Sequence, residues 1–250
     1  MAFAERFIFS WIRFCLHCGT YDPPLRTFCD DCWHKFIKLI QVRVHEVAPN
    51  FKVITLIDWN EENYELVLSF VMAQKGGGLK TLISELISWN ALDINLLIWA
   101  HTKKYNKSSD VCSKTPKQRP TEKKIYQQLK SRSNSDSGDE LLQAFTIVPI
   151  PPKERGRDHA HSIAKIMSSQ CGLPIRPKLL AIGTKSSQKF KRKNERTQVE
   201  FCQNPVENIN GGVLIIDDII TTGSTLLAAR RASKASHSLG FALVNRFSRI

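Results

Sequence analysis

The stretch that decides the predicted fold runs Val213-Leu214-Ile215-Ile216-Asp217-Asp218-Ile219-Ile220-Thr221-Thr222-Gly223-Ser224-Thr225. Its first four residues are aliphatic without a polar break, which is typical of a short strand buried on both faces of a parallel sheet. Two carboxylates follow where we expect the strand to end. A helical pattern then runs from Leu226 to Leu239, and Gly240 would close it. The sequence therefore predicts a strand, a tight polar turn and a helix.

A polar turn that opens a helix is suited to binding an anion. The first backbone N–H groups of the helix have no partner within it, and they lie at the positive end of its dipole. Gly223 lets the backbone approach a ligand closely, and hydroxyl donors come from four neighbours: Thr221, Thr222, Ser224 and Thr225. We expect a phosphate monoester here, with Asp217 and Asp218 placed to contact the hydroxyls of a sugar.

All thirteen residues resemble the phosphoribosyl-pyrophosphate (PRPP) signature of type I phosphoribosyltransferases. The resemblance implies that the turn holds the 5′-phosphate of PRPP, while the two aspartates contact the ribose 2′- and 3′-hydroxyls. Two alternatives remain at this point. The aliphatic run could be a Walker B strand, although no G-x-x-x-x-G-K-[ST] motif occurs in the chain. It could also open an ordinary strand–turn–helix in which aspartate serves as a cap.

Two Cys-x-x-Cys pairs near the N-terminus predict a metal site. They are Cys15 with Cys18 and Cys29 with Cys32. Four thiolates from such pairs form a tetrahedral set that favours structural zinc, with iron as the main competitor. A module this short would depend on the metal to fold. His17 and His34 are surplus to the four ligands, and we expect both to be solvated.

The composition indicates a polyanionic ligand in a reducing compartment. The net charge is +13 at pH 7, which fits either the phosphates of a small molecule or a nucleic-acid backbone. No uninterrupted run of about eighteen apolar residues occurs, so we expect no membrane-spanning segment. The N-terminal residues make a poor signal peptide. We therefore predict a cytoplasmic protein.

The middle of the chain is predicted to contain both a strand and a helix, followed by an insertion. Residues Phe51 to Ile57 predict a strand, and apolar residues at helical spacing predict a helix over 79–90. The short apolar run from Ile94 to Trp99 is either a buried strand or a last helical turn. Residues 101–139 are rich in Lys, Arg, Ser and Asn, and we expect a flexible insertion that is either a solvated loop or a tether for nucleic acid.

A second strand–loop–helix unit precedes the decisive stretch. Residues Ala144 to Val148 predict a strand, and a helical pattern from Ala160 ends at Gly172. The loop between them carries Arg155, Gly156 and Arg157, which suit a pyrophosphate at the carboxyl edge of the sheet. A further basic loop over 183–196 includes Lys185. It could close over a diphosphate, or it could face nucleic acid.

The order of these features resembles the ComF family of competence-associated proteins. The features that match are the four-cysteine ribbon, the proline-rich strand end at Val148–Pro152, Arg155-Gly156, the Thr184 and Gln188 loop, and the final Asp-Asp-x-x-x-Thr-Gly-x-Thr. The chain departs from the family in a shorter loop between Pro151 and Arg155, in Arg157-Asp158-His159 after Arg-Gly, and in the 101–139 insertion.

The resemblance implies an α/β fold with a twisted parallel sheet flanked by helices. It divides the chain into a zinc ribbon at 1–45, a helical hood at 46–100, the insertion at 101–139 and a phosphoribosyltransferase-like core at 140–250. It further implies PRPP with magnesium as ligand, a phosphoribosyl acceptor that the sequence does not identify, and a role in DNA uptake during natural transformation. The alternatives are an inactive protein that binds single-stranded DNA, an adaptor for other competence proteins, and a regulator that senses PRPP without turnover.

Overall fold

The computed structural model describes residues 14–21, 28–76, 79–109, 145–152, 158–182, 200–204 and 211–246. Over these residues the chain forms five helices and seven strands. The helices are α1 (Asp30–Lys38), α2 (Tyr64–Gly76), α3 (Lys80–Ser109), α4 (His159–Cys171) and α5 (Ser224–Ser233). The strands are β1 (Ile40–Ala48), β2 (Phe51–Asp58), β3 (Phe145–Pro149), β4 (Leu180–Ile182), β5 (Phe201–Gln203), β6 (Gly212–Ile220) and β7 (His237–Asn245).

A five-stranded sheet forms the centre of the fold, in the order β1-β2-β7-β6-β3. Strands β2, β7, β6 and β3 are parallel to one another, and β1 pairs antiparallel with β2 at one edge. The predicted α/β architecture with a mostly parallel sheet is therefore confirmed. The short strands β4 and β5 pair antiparallel in a separate two-stranded sheet.

Helices cover both faces of the large sheet. In β6, Leu214 and Ile216 belong to a buried cluster with residues of α2, α3 and α4, whereas Val213 and Ile215 belong to a second cluster with residues of α5. All four side chains are fully buried. This alternation explains why the strand is aliphatic at every position from 213 to 216, because each face of the sheet has its own hydrophobic layer.

Three local predictions agree with the structure. The strand predicted over Phe51–Ile57 is β2, and the strand predicted over Ala144–Val148 is β3 with bounds shifted by one residue. The helix predicted to end at Gly172 is α4, and Gly172 adopts a left-handed conformation with φ of 70° at its C-terminus. Glycine reaches that conformation without the steric cost that a Cβ atom brings.

Helix α3 is much longer than predicted. It continues from Lys80 to Ser109, so Ile94–Trp99 lies inside it and the first nine residues of the predicted insertion are helical. Residues 110–139 lie outside the described residues. The segment Lys80–His101 is long and apolar enough to cross a membrane by length and composition, a criterion that core helices also meet. Leu86, Ile87 and Ile94 of this segment are fully buried in the cluster that α3 forms with the sheet.

The prediction for residues 226–239 was wrong in its second half. Helix α5 ends at Ser233, where Lys234 takes a left-handed conformation, and His237–Asn245 forms the central strand β7. Gly240 therefore lies within a strand and does not cap a helix. Its missing side chain has a packing reason, because a Cβ atom there would lie 2.8 Å from Val53 Cγ2 and 3.3 Å from Leu226 Cδ1.

We expect Gly240→Ala to lower the free energy of unfolding by about 1–3 kcal/mol, because the added methyl group overpacks the contact between β7, β2 and α5. Chemical denaturation of the two proteins measures the difference. The cost should shrink in a Val53→Ala background, where the closest neighbour is removed. An equal cost in both backgrounds would show that contact with Val53 is not its origin.

Candidate functional site

The chain connections that follow β3 and β6 run in opposite directions across the sheet. Beyond β3, the segment that follows α4 adds a parallel bridge at Ile147 and Ile175, with hydrogen bonds from Ile147 N to Pro174 O (2.7 Å) and from Arg176 N to Ile147 O (2.8 Å). The connection after β3 thus leads outward through α4, and the connection after β6 leads the other way through α5 to β7. Helices α4 and α5 pack on opposite faces. Ligands of open α/β sheets bind at the carboxyl ends of strands at such a reversal.

Asp217 and Asp218 lie at this reversal, where β6 extends past its neighbour. Pro149 is the last residue of β3 and pairs with Ile216, whereas β6 continues to Ile220. The sequence predicted that the two carboxylates follow the end of the strand. In the structure they lie inside β6. Asp217 and Asp218 extend beyond the last β3 residue that pairs with β6, while β6 stays paired with β7 as far as Ile220 and Asn245.

Both carboxylates are half-buried and are oriented by backbone hydrogen bonds. One oxygen of Asp217 accepts from the Asp218 N–H at 2.9 Å, and one oxygen of Asp218 accepts from the Ile219 N–H at 2.9 Å. Such bonds restrict the side-chain rotamers. Each carboxylate thus presents a fixed acceptor at this edge of the sheet, and successive side chains of a strand point to opposite faces.

The turn after β6 leads into the N-terminus of α5. Thr221 and Thr222 are exposed, and Ser224 and Thr225 are half-buried. Gly223 is the N-cap residue with φ of 73°, and it makes no side-chain capping bond. The Thr222 hydroxyl donates to Ser224 Oγ at 3.0 Å and accepts a long bond from the Ser224 N–H at 3.4 Å, and the first turn of α5 contains no acidic residue. Its backbone N–H groups are therefore arranged to receive an anion.

Gly223 is required at this turn for two reasons. Its backbone is left-handed, and a Cβ atom there would lie 2.2 Å from Cγ1 of Val47 on β1. The sequence analysis predicts that Gly223 lets a ligand approach the backbone closely. In the structure, the group that lies close to Gly223 is the side chain of Val47 on the edge strand β1. Contact with β1 fixes the position of the turn relative to the sheet.

The remaining predicted PRPP contacts lie outside the described residues. Arg155, Gly156 and Arg157 belong to 153–157, and Lys185, Thr184 and Gln188 belong to 183–199. One described flank of the first loop lies beside β6, and the other is the start of α4. The Ile150 N–H donates to Ile216 O at 2.9 Å, and Asp158 begins α4.

The four N-terminal cysteines come together as a candidate metal centre. The sulfur atoms of Cys15, Cys18, Cys29 and Cys32 all lie within 4.8 Å of one another, so the set could hold a metal ion. Cys29 is the N-cap residue of α1 and Cys32 lies in its first turn, whereas Cys15 and Cys18 lie in a turn closed by a bridge between Phe14 and Tyr21. His34 is exposed, as predicted, and its Nδ1 lies 2.7 Å from the Asp30 carbonyl oxygen.

Cys18 and Cys32 differ in acidity. Hydrogen bonding with the hydroxyl and backbone of Thr20 lowers the pKa of Cys18 to about 6. Burial raises the pKa of Cys32 well above its usual value. Metal binding requires thiolates, so it would release a proton from Cys32.

The cysteine module is joined to the main core. Phe28 and Phe36 are fully buried in the same cluster as α2 and α3, and the rings of Phe36 and Phe70 lie 5.0 Å apart. The predicted boundary at residue 45 falls within β1, which pairs with β2. The cysteines therefore hold α1 against the helices over the sheet, consistent with a structural role.

A second polar cluster lies at the same edge of the sheet and was not anticipated from the sequence. Asp58 accepts from Arg43 Nη1 and, at 2.9 Å, from Asn245 Nδ2, while His45 Nε2 lies 2.9 Å from Thr55 Oγ1. An open cavity of about 1020 Å³ is bordered by Arg43, His45, Asp58 and Asn245. Asp58, like Asp217, comes after a run of apolar strand residues, so the same sequence signal was present. Its partners Arg43 and Asn245 belong to other strands and are not indicated by the residues next to Asp58.

Neither a protein-family model nor a curated protein matches this sequence. The functional assignment therefore depends on the geometry described above.

We expect one metal ion per chain, and its loss in Cys18→Ser and Cys32→Ser. Each variant removes one of four thiolates and should leave a weak, open site. Elemental analysis of purified protein measures the stoichiometry and identifies the ion. Cys202→Ser is the matched control, because Cys202 is an exposed cysteine outside the cluster. Full metal content in both cluster variants would contradict the assignment.

Proposed function

We propose that this protein binds PRPP, as a ComF-like member of the type I phosphoribosyltransferases. One observation carries the proposal: a half-buried aspartate pair is followed, at the reversal point of the sheet, by a helix N-terminus with no acidic residue in its first turn. The N-terminus of α5 would hold the 5′-phosphate, and Asp217 and Asp218 would accept hydrogen bonds from the ribose diol.

The chemistry that follows is transfer of the phosphoribosyl group to an acceptor. In such a reaction the C1–pyrophosphate bond breaks while positive charge develops on the ribose ring. Asp217 and Asp218 would stabilise that charge, and the fixed orientation of their side chains lowers the reorganisation needed. Magnesium would neutralise the diphosphate. The cations proposed for the leaving group are Arg155, Arg157 and Lys185.

For the cysteine centre, zinc is the ion that best fits the ligands. The four sulfur atoms lie within 4.8 Å of one another, and four thiolates would fill the tetrahedral coordination of zinc and leave no open position for a substrate. We therefore assign zinc a structural role. The role in DNA uptake and a cytoplasmic location remain parts of the same proposal.

A DNA-binding function is the second candidate, and the net charge of +13 favours it. Much of the excess lies in two segments outside the described residues, 110–139 and 183–199. Backbone recognition by such segments would be nearly independent of base sequence.

Binding of sugar phosphates should separate the two halves of the proposed PRPP site. Isothermal titration with PRPP and Mg²⁺, ribose 5-phosphate and 2-deoxyribose 5-phosphate compares ligands with and without the 2′-hydroxyl. We expect Asp217→Asn with Asp218→Asn to weaken ribose 5-phosphate binding about 10- to 150-fold, because hydrogen bonds to charged groups are lost. The same double variant should no longer distinguish ribose from deoxyribose.

Asp93→Asn on α3 serves as the control for the loss of a carboxylate. Thr222→Val with Thr225→Val should weaken all three ligands together, because these residues border the phosphate site. Absence of PRPP binding by the unaltered protein, with or without Mg²⁺, would remove the proposal.

Labelled single-stranded DNA tests the second candidate. If the basic segments bind the DNA backbone, the logarithm of the affinity should fall linearly with the logarithm of the salt concentration. The measurement is filter binding over a salt series with oligonucleotides of two different sequences. A negligible signal at low salt would count against this function, and the aspartate double variant should bind DNA normally.

A further inference from the structure

Asp58 lies at the carboxyl end of β2 and binds the strands on both sides of it. One carboxylate oxygen accepts from Arg43 Nη1 of β1, and the other accepts from Asn245 Nδ2 of β7 at 2.9 Å. The Asp58 side chain is 23% exposed, so these bonds are partly shielded from water. Hydrogen bonds to a charged acceptor are stronger than those between neutral groups. Asp58 therefore ties β1 and β7 together across β2 at this edge of the sheet.

His45 extends the same network along β1. Its Nε2 lies 2.9 Å from Thr55 Oγ1, 3.2 Å from Asn245 Nδ2 and 3.5 Å from Asp58 Oδ1. Thr55 belongs to β2 and is fully buried. Arg43 and His45 are two residues apart, which places their side chains on one face of the strand. The network thus contacts two successive positions on that face of the edge strand.

Strand β1 connects this network to the middle of the turn that follows β6. The pairing of β1 with β2 shifts register between Glu46 and Ala48, so Val47 lies at an irregularity of the ladder. Such irregularities redirect a side chain out of the regular alternation. Val47 packs directly against Gly223, where a Cβ atom would lie 2.2 Å from Val47 Cγ1. The middle of the turn is therefore in contact with β1, two residues after His45.

Strand β7 connects the network to the start of the same turn. Ile220, the last residue of β6, pairs with Asn245, and the Arg246 N–H donates to Ile220 O at 2.7 Å. The side chain of Asn245 donates to Asp58, and its backbone carbonyl accepts from the Trp59 N–H at 2.7 Å. Asn245 is thus fixed by side chain and backbone beside the residue from which the turn departs.

We propose that Asp58 is a positioning residue for the phosphate turn at residues 221–225. The turn is held at its start through Asn245 and in its middle through Val47, and one carboxylate binds both strands that supply these contacts. Binding groups must be held within about 0.5 Å of their productive positions, so a small shift of either strand lowers affinity. Asp58 acts through β1 and β7 and needs no contact with the ligand. This inference rests on the proposed phosphate binding and adds the residue that sets its geometry.

The test is binding of inorganic phosphate, ribose 5-phosphate and 2-deoxyribose 5-phosphate to the full-length protein by isothermal titration. We expect Asp58→Ala to weaken all three about 2- to 30-fold, the range for residues that alter a site without touching its ligand. The ratio of ribose to deoxyribose affinity should not change, because Asp217 and Asp218 keep the backbone bonds that orient them. A general loss of folded structure would not preserve that ratio.

Two further variants test the route through β1. Val47→Ala removes the contact with Gly223 and should weaken the same three ligands. Combined with Asp58→Ala, it should cost less than the product of the two separate factors, because both changes act on one strand. Arg43→Met releases β1 alone at a side chain that is 48% exposed, so it keeps the test available if Asp58→Ala does not fold. It should give a smaller loss with the same pattern across the ligands.

Glu61→Gln and Ile94→Val are the controls. Glu61 is an exposed carboxylate that borders the same cavity but takes no part in the network. Ile94 is a core residue on the opposite face of the sheet from α5, and its truncation lowers stability without reaching the turn. Both variants should bind all three ligands as the unaltered protein does.

The inference is overturned if folded Asp58→Ala and Arg43→Met keep full affinity, if Ile94→Val weakens the ligands equally, or if the ribose to deoxyribose ratio changes in Asp58→Ala. Absence of phosphate binding by the unaltered protein would remove the proposed function itself. Phosphate binding that both network variants leave intact would remove only the role of Asp58.

Discussion

Parallel pairing of β6 with β3 on one side and β7 on the other is the constraint on which the rest of the structure depends. It holds Val213–Ile216 where all four side chains are fully buried, each contributing roughly 1.5–3 kcal/mol through burial. The same pairing positions the candidate site. Because β3 ends opposite Ile216, Asp217 and Asp218 of β6 lie just past the end of that neighbouring strand. The buried core residues and the candidate site residues are thus consecutive in one strand.

Close packing at two glycines transmits this constraint to the opposite edge of the sheet. Gly223 contacts Val47 of β1, and Gly240 contacts Val53 of β2 and Leu226 of α5. Since β1 follows α1 directly, the cysteine module and the turn at Gly223 are linked through one edge strand. If the cysteines hold a metal ion and the turn holds a phosphate, as proposed, β1 is the connection through which one site would affect the other.

The parts of the fold that were predictable were those encoded in neighbouring residues. The strand at Phe51 and the helix that ends at Gly172 follow from local periodicity and local end signals. Gly240 was misread because glycine after a helical pattern is a common helix terminator, whereas here it relieves a contact with Val53 of another strand. A buried strand has no alternation, so periodicity alone cannot separate it from helix. The Asp58 cluster was missed for a related reason, since the partners of Asp58 lie on other strands.

Two helices leave the carboxyl edge of the sheet near the candidate site, and they differ in how their first N–H groups are satisfied. Helix α4 is capped by the carboxylate of Asp158, which accepts from the His161 N–H. Helix α5 begins at a glycine, and the described side chain that accepts from its first N–H is the neutral hydroxyl of Thr222, at 3.4 Å. An anion is therefore better accommodated at the start of α5 than at the start of α4. This difference in capping, and not the fold of the two strand–loop–helix units, is the reason that the proposed phosphate site lies after β6 and not after β3.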